Sequence, residues 1–426
     1  MASFRDEVRL PEEKALVRRR GTNLPRMGDF NLSVILDAIR RSPEGLSRVE
    51  LAGIVGLAAQ TVSNICRRLL DQNLIVEAGK YGSGPGKPRT ILRLNPGGMY
   101  AVGVHLDPVE TNYALLDLTG AVVTTRTHLT QPDAEPQQTI DAMAEEIESI
   151  ISEQNIERNK IAGLGIAAPG PIDGATGAIV EPPHMPGWGT VELRERLHKA
   201  VELPVLLDKD VTAAAVAEIW AGGLSGSGSF IFVYIGTGIG SGLVLDDEVV
   251  RGSSGNAGEV GHIIADPDGP DCDCGKRGCV KVTCMPENIV AEAAAAGFKA
   301  VLDNKGKSLQ VQMAALSEAA LAGDAAAQKI LDLAAERFAT AVSVQANLLD
   351  VDHVVFGGPF WKHFEPTFLA KLPQRINERS ATSKVHSVEV VGTGVGSDVG
   401  AVGAACLVLE DTFGPHAASL VLASEQ

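Results

Sequence analysis

Four cysteines fall within thirteen residues, in the stretch CDCGKRGCVKVTC from Cys272 to Cys284. Thiols at that density serve as disulfide partners, as metal ligands or as a nucleophile. Cys272, Cys274 and Cys279 lie in a loop turned by Gly275 and Gly278, and His262 stands ten residues before it. Three thiolates and one imidazole make a closed tetrahedral zinc site, with no open position for a catalytic water. The competing readings are a disulfide pair and a cysteine made nucleophilic by Lys276 and Arg277. Six cysteines in a cytosolic chain of 426 residues do not suggest a disulfide scaffold. The expectation is a structural Zn2+ on His262, Cys272, Cys274 and Cys279, with Cys284 a spectator or a spare ligand.

Such a loop must be carried by a folded body, and the chain is long enough for two or three domains. No run approaches the ~20 apolar residues of a membrane span. The opening stretch MASFRDEVRLPEEKALVRRR is charged and has no apolar leader core. The expectation is a cytoplasmic protein with no membrane partner. The net charge of -16 hides an asymmetry. Residues 1–98 hold 16 Lys/Arg against 10 Asp/Glu, and the remainder holds 21 against 43. A basic head can meet phosphates while an acidic body stays clear of them.

The head reads as three helices and a two-stranded wing. Leu32, Ile35, Leu36 and Ile39 form one apolar stripe. Ser47 and Glu50 make a capping box that opens a short helix through about Val55, and Gly56 breaks it. A third helix begins near Ala58. Val62, Ile65, Cys66 and Leu69 must face the core, which leaves Gln60, Thr61, Ser63, Asn64, Arg67 and Arg68 toward solvent. Amides and hydroxyls there can read base edges, and the arginines can hold phosphates. Ser47 and Arg48, at the start of the short helix, join the expected DNA contacts. So do Lys87 and Arg89 of the glycine-rich wing tip GKYGSGPGKPRT. This is the pattern of a winged helix-turn-helix.

After NPGG the pattern changes to alternating strands, MYAVGVHLDPVETNYALLDLTGAVVTTRTHLT, and a helix over about Gln137 to Glu153. A buried strand (IAGLGIAAPG), a strand running into a helix (LPVLLDKDVTAAAVAEIW), a glycine-turned hairpin (SFIFVYIGTGIGSGLVLDDEVV) and a strand ending in a diglycine (VDHVVFGGP) follow. Together they make an α/β body. GNAGEVGH, Gly255 to His262, and CDCGKRGC, Cys272 to Cys279, resemble the E-x-G-H and C-x-C-G-x-x-G-C signatures of the ROK family. The likeness runs from about residue 30 to 410 and is strongest to its NagC/XylR-type repressors.

That resemblance implies a body of two lobes, actin-like and of hexokinase type, around a sugar cleft. It implies an extension over 1–27, read as mobile, and a DNA-binding head over 28–97. The first lobe is expected over 98–213 with 398–426, and the second over 214–397 with the zinc loop. The family's kinases phosphorylate sugars with ATP, and its repressors bind operators. LLDKDVTAAA puts Asp210 on the family's catalytic aspartate. GTGIGSG (Gly236 to Gly242) and FGGP (Phe356 to Pro359) match its second phosphate loop and adenosine-side turn. The first phosphate loop, D-x-G-G-T in the kinases, is here HLDPV, with His105, Asp107, Pro108 and Val109 at the signature positions. A carboxylate would face phosphate, and proline removes an N–H. The expectation is therefore no enzyme and no catalytic residue, but a repressor of carbohydrate uptake or catabolism genes, acting as a homodimer or higher oligomer on operator DNA. The alternative is a sugar kinase with a regulatory head.

The resemblance also maps an effector site. Asp210, Glu259 and His262 are retained, while His184, Lys209 and Lys281 replace two amides and a carboxylate. Ammonium groups suit phosphate or carboxylate, so the expected effector is a sugar derivative, with a sugar phosphate or sugar acid favoured. The competing expectation pairs Lys209 and Lys281 internally with Asp210 and Glu259, since a buried charge needs a partner.

Overall fold

The computed structural model describes residues 24–81, 89–131, 134–224 and 226–415. Most of the expected N-terminal extension, and Lys87 of the wing tip, lie outside the described residues. The first helix, Leu24–Arg40, starts inside the stretch expected to be extension. Pro25 does not prevent this, because the first turn of a helix needs no N–H from it.

The head follows the apolar pattern closely. Ile35, Leu36 and Ile39 are buried against Leu51, Val62, Cys66 and Leu69. Helices Arg48–Val55 and Ala59–Asp71 meet at a bend of 117°. Gly56 makes the bend in the left-handed region, φ 66°, where a side chain would be strained. Strands Leu46–Ser47, Arg89–Leu94 and Ile75–Tyr81 form a small antiparallel sheet in that order.

The body holds two five-stranded sheets of the same topology. In the first, Tyr100–Leu106, Glu110–Asp117 and Val122–Leu129 run antiparallel, and Ile161–Ala168 and Val205–Lys209 then add in parallel beside the first of them. In the second, Phe230–Ile235, Ile239–Leu245 and Glu248–Val249 are antiparallel, and His353–Gly357 and Glu389–Gly392 add in parallel. Each sheet therefore has the order third, second, first, fourth, fifth.

Two buried helices lie between the sheets. Asp210–Trp220 leaves the edge strand of the first sheet, and Val399–Phe413 returns to cover that sheet. They cross at backbone distance. A Cβ on Gly403 would stand 2.1 Å from the Ala213 carbonyl oxygen. Gly403→Ala should therefore cost about 1–3 kcal/mol through overpacking, read as a lower urea midpoint; an unchanged midpoint would contradict this packing.

Candidate functional site

A cavity of about 400 Å³ opens between the two sheets. All six expected effector residues line it: His184, Lys209, Asp210, Glu259, His262 and Lys281. They come from both lobes. Lys209 caps the Asp210–Trp220 helix at the end of the first sheet. Glu259 and His262 flank a short 3-10 turn of the second lobe, and Lys281 lies on the helix Val280–Cys284. Residues that the sequence reading did not single out also line the cavity, among them Glu181, Tyr234 and Glu287. Glu181 and His184 both have positive φ, at 44° and 62°. Strained backbone of this kind is held by buried Met185 and Trp188.

The two lysines are engaged within the protein. The Lys209 ammonium, 5% exposed, contacts the Glu259 carboxylate and also reaches the Ala257 carbonyl at 3.4 Å. Lys281 donates to Asp273 at 2.6 Å rather than to Asp210 or Glu259. That bond holds the Asp273 carboxyl down at about 2 and raises Lys281. Internal pairing is thus seen for both: Lys209 takes Glu259, one of the two expected acids, and Lys281 takes Asp273 of the cysteine loop in place of either. Asp210 accepts the Val211 N–H at 2.7 Å. Burial pushes its carboxyl above the ordinary range, against the pull of His105.

At the cleft floor the segment after the Tyr100–Leu106 strand turns back on itself. Asp107 is buried, accepts the Val109 N–H at 2.9 Å, and accepts the Thr237 hydroxyl from the glycine hairpin of the other lobe. The buried His105 ring lies edge-on to Tyr234 at 6.1 Å.

Beside the cleft, His262, Cys272, Cys274 and Cys279 bring their ligand atoms within 4.8 Å of one another. The Cys272 Sγ to His262 Nδ1 and Cys274 Sγ to Cys279 Sγ separations are both 3.6 Å. Tetrahedral bonds of zinc length place such donors about 3.5–3.8 Å apart, so the set fits and could hold a metal ion. Burial, then the adjacent thiols, push Cys279 up to about 12. A divalent cation would relieve that crowding. Cys284 lies outside the cluster, buried beside Thr283. Arg337 anchors the loop's base, donating to Asp266 at 2.9 Å and to Glu292 at 2.8 Å.

On the head, Gln60, Asn64, Arg67 and Arg68 are exposed, and Thr61 and Ser63 are half-buried. Gln60 and Asn64 hydrogen-bond each other at 3.1 Å. Arg68 pairs with Asp29, Arg48 pairs with Glu77, and Arg89 is exposed at the start of its strand. Ser47 requires a correction. It is 2% exposed, and its hydroxyl and N–H are both spent on Glu50. The capping box that starts the helix withdraws this side chain from any ligand.

Comparison with known proteins follows the same lines. The ROK family profile matches residues 101–411. A putative xylose repressor of Caldicellulosiruptor sp. (strain Rt8B.4) is 24% identical over 375 residues, covering 86% of this chain and 92% of that protein. The crystal structure of a ROK family transcriptional regulator, a homolog of the E. coli MLC protein, superposes with a TM-score of 0.74 at 23% identity, covering 93% of this chain and 99% of that one. A ROK family glucokinase from Streptomyces griseus, in complex with glucose and AMPPNP, gives 0.61 at 25% identity, covering 72% and 98%.

Two outcomes follow. Metal analysis of the purified chain should find about one Zn2+ per chain, and Cys279→Ser should lose it and melt several degrees lower; a variant that melts with the wild type would remove zinc from the structural account. Asp210→Asn should raise the melting temperature at neutral pH. A carboxyl whose folded-state value is raised costs stability above its unfolded value and costs nothing below it. The gain should therefore fade as pH drops below the ordinary carboxylate range.

Proposed function

Matched over residues 101–411, the chain belongs to the ROK family, and from that premise we propose that it is a DNA-binding repressor of carbohydrate genes, released or tightened by a sugar-derived effector in the interlobe cleft. One observation carries the reading. The Ala59–Asp71 helix buries Val62, Cys66 and Leu69 and turns Gln60, Asn64, Arg67 and Arg68 outward. With the short helix Arg48–Val55 bent against it and the small sheet after it, this is a winged helix-turn-helix whose third helix enters a major groove. Arg67 and Arg68 then hold phosphates, Gln60 and Asn64 meet base edges, and Arg89 starts the wing. The 93% coverage by a solved regulator supports the reading, because it cannot be reached without residues before 98.

The cleft supports an effector rather than a reaction. The Asp107 carboxylate meets Thr237 between the two loops that cradle phosphate in the family's kinases. An anion already stands there, and Pro108 supplies no N–H. Asp210 keeps the position of the family's general base, with the Asp107 carboxylate on the phosphate side of the cleft. The effector we propose is a hydroxyl-rich sugar or its phosphate or acid. An anionic form must draw Lys209 from Glu259, or Lys281 from Asp273, before it gains an ammonium partner. Zinc on His262, Cys272, Cys274 and Cys279 would supply a structural charge centre that pins the Glu259–His262 turn to the Lys281 helix. Among the described residues no single helix is long and apolar enough to cross a membrane. We place the protein in the cytoplasm as a homodimer or higher oligomer, matching the two half-sites of a palindromic operator.

Selection from a random duplex pool should yield a preferred site. Asn64→Ala should weaken that site by about 1–3 kcal/mol and relax it at one position. Arg67→Ala should weaken all DNA alike and flatten the salt dependence. Wild-type binding by both variants would overturn the docking face. Calorimetry with free and phosphorylated sugars then separates the effectors; tighter binding of the neutral sugar would exclude the anionic class.

A further inference from the structure

We infer that the end of the first head helix is a two-point joint between the lobes, with Arg40 the positioning residue that makes the head follow the cleft; at an operator, this consequence rests on the repressor reading. Arg40 closes the helix Leu24–Arg40 and Arg41 follows it. One carboxylate organises both. Asp37 takes Arg40 Nη2 on Oδ1 at 2.7 Å and Arg41 Nε on Oδ2 at 2.7 Å.

The two guanidinium groups then stand on different parts of the body, Arg40 on the end of the helix that leaves the first sheet and Arg41 on a turn of the second sheet. Arg40 lies 4.4 Å over the Trp220 ring and donates to the Ile219 carbonyl at 3.1 Å. Trp220 in turn donates its indole N–H to Glu410, on the helix that covers the first sheet. Arg41 Nη1 stands 3.8 Å from Asp247, in the turn between two strands of the second sheet. The grips are unequal. The Arg40 side chain is 7% exposed and stacked, whereas Arg41 is 34% exposed at a longer distance. If the lobes rotate, the Arg41 footing yields first and the head stays with Trp220.

Trp220 is also the far end of the helix whose near end is the cleft. Asp210–Trp220 spans 11 residues, about 16 Å at the helical rise. Lys209 and Asp210 begin it at the cavity, and Ile219 and Trp220 end it under Arg40. Ile35, Leu36 and Ile39 of the head share one apolar core with Ala213, Val216, Trp220 and Phe413. Lobe position is itself set by polar ties across the cleft: Lys209 to Glu259, and Asn256 to both the N–H and the carbonyl of Ile172 at 2.8 Å.

The test is amide hydrogen exchange on the full-length chain, and it needs neither DNA nor sugar, so its failure is separate from failure of the repressor reading. Arg40→Ala should speed exchange in the Leu24–Arg40 helix about tenfold while the sheets stay protected. Arg40→Lys keeps the charge but loses the planar stack; it guards against simple unfolding of the head and should shift exchange the same way. The cleft variant Lys209→Met/Asn256→Ala should alter exchange in the head helix in the wild-type background and leave it unaltered in the Arg40→Ala background. The joint is overturned if Arg40→Ala and Arg40→Lys both leave that helix protected, if the cleft variant leaves the head unchanged, or if it changes the head equally with and without Arg40.

Discussion

The structure depends on a backbone-to-backbone clamp around the Asp210–Trp220 helix. A Cβ on Gly242, in a strand of the second sheet, would lie 2.2 Å from the Val211 carbonyl oxygen. Gly403 makes the same approach to Ala213 from the first-lobe helix. No side chain separates these surfaces, so none can change rotamer to absorb a small rotation. Every residue from Val211 to Trp220 is buried. Glu218, near the far end, is buried too, and it accepts the Thr393 hydroxyl and the Gly394 N–H beyond the last strand of the second sheet. The helix is thereby tied to both lobes while its ends face the cleft and the head. Geometry at one end is not independent of geometry at the other.

The cleft pairs its own charges. In this chain each cation that reaches the cavity has an acid of its own: Glu259 for Lys209 and Asp273 for Lys281. The pairing partner of Lys281 matters most, because Asp273 lies between two cysteines of the metal cluster. A lysine in the cavity wall is thus bonded to the cysteine loop that could hold a metal ion, and the shape of the wall depends on the loop's conformation. Asp107 plays the corresponding part on the floor, where its carboxylate meets the Thr237 hydroxyl of the glycine hairpin.

Much of this was legible in the sequence because periodicity and turn chemistry are local. The stripe from Leu32 to Ile39, the capping box at Ser47, the strand–helix junction at Lys209–Asp210 and the spacing of Cys272, Cys274 and Cys279 were all readable from neighbours within a turn or two. So were the six cavity residues, through motif resemblance. Four things were not. Ser47 was assigned a ligand as well as a cap, although one hydroxyl bonded to Glu50 cannot also face outward. Lys281 was offered Asp210 or Glu259, because no rule of spacing brings Asp273 to it; that contact comes from folding the loop back at Gly275 and Gly278. Arg40 gave no signal at all. It reads as an ordinary basic residue in the last turn of a helix, and its partner Trp220 is 180 positions away in the sequence. Long-range pairing of this kind is a property of topology, and the repeated strand order of the two sheets was likewise invisible to local pattern.

The energetic scale of the cross-cleft ties decides what such a cleft can sense. Lys209 is deeply buried but Glu259 is 63% exposed, so their pair belongs near the surface end of the range, about 1 kcal/mol. The Asn256 bonds to Ile172 add about 1 kcal/mol each. A ligand that moves an equilibrium from one state to the other needs about 5.5 kcal/mol of differential affinity for a complete switch. Each of these ties, and the Asp107–Thr237 bond beside them, is small against that figure. A sugar offering four or five hydroxyls to Asp210, Glu259 and His184 in one lobe arrangement only reaches that scale with ordinary hydrogen bonds. A ligand that binds one lobe alone gains nothing from closure and shifts nothing, however tightly it binds. The sensing residues must therefore be those that a ligand touches from both lobes at once. In this cleft the cavity is faced by Lys209 and Asp210 on one side and by Glu259, His262 and Lys281 on the other.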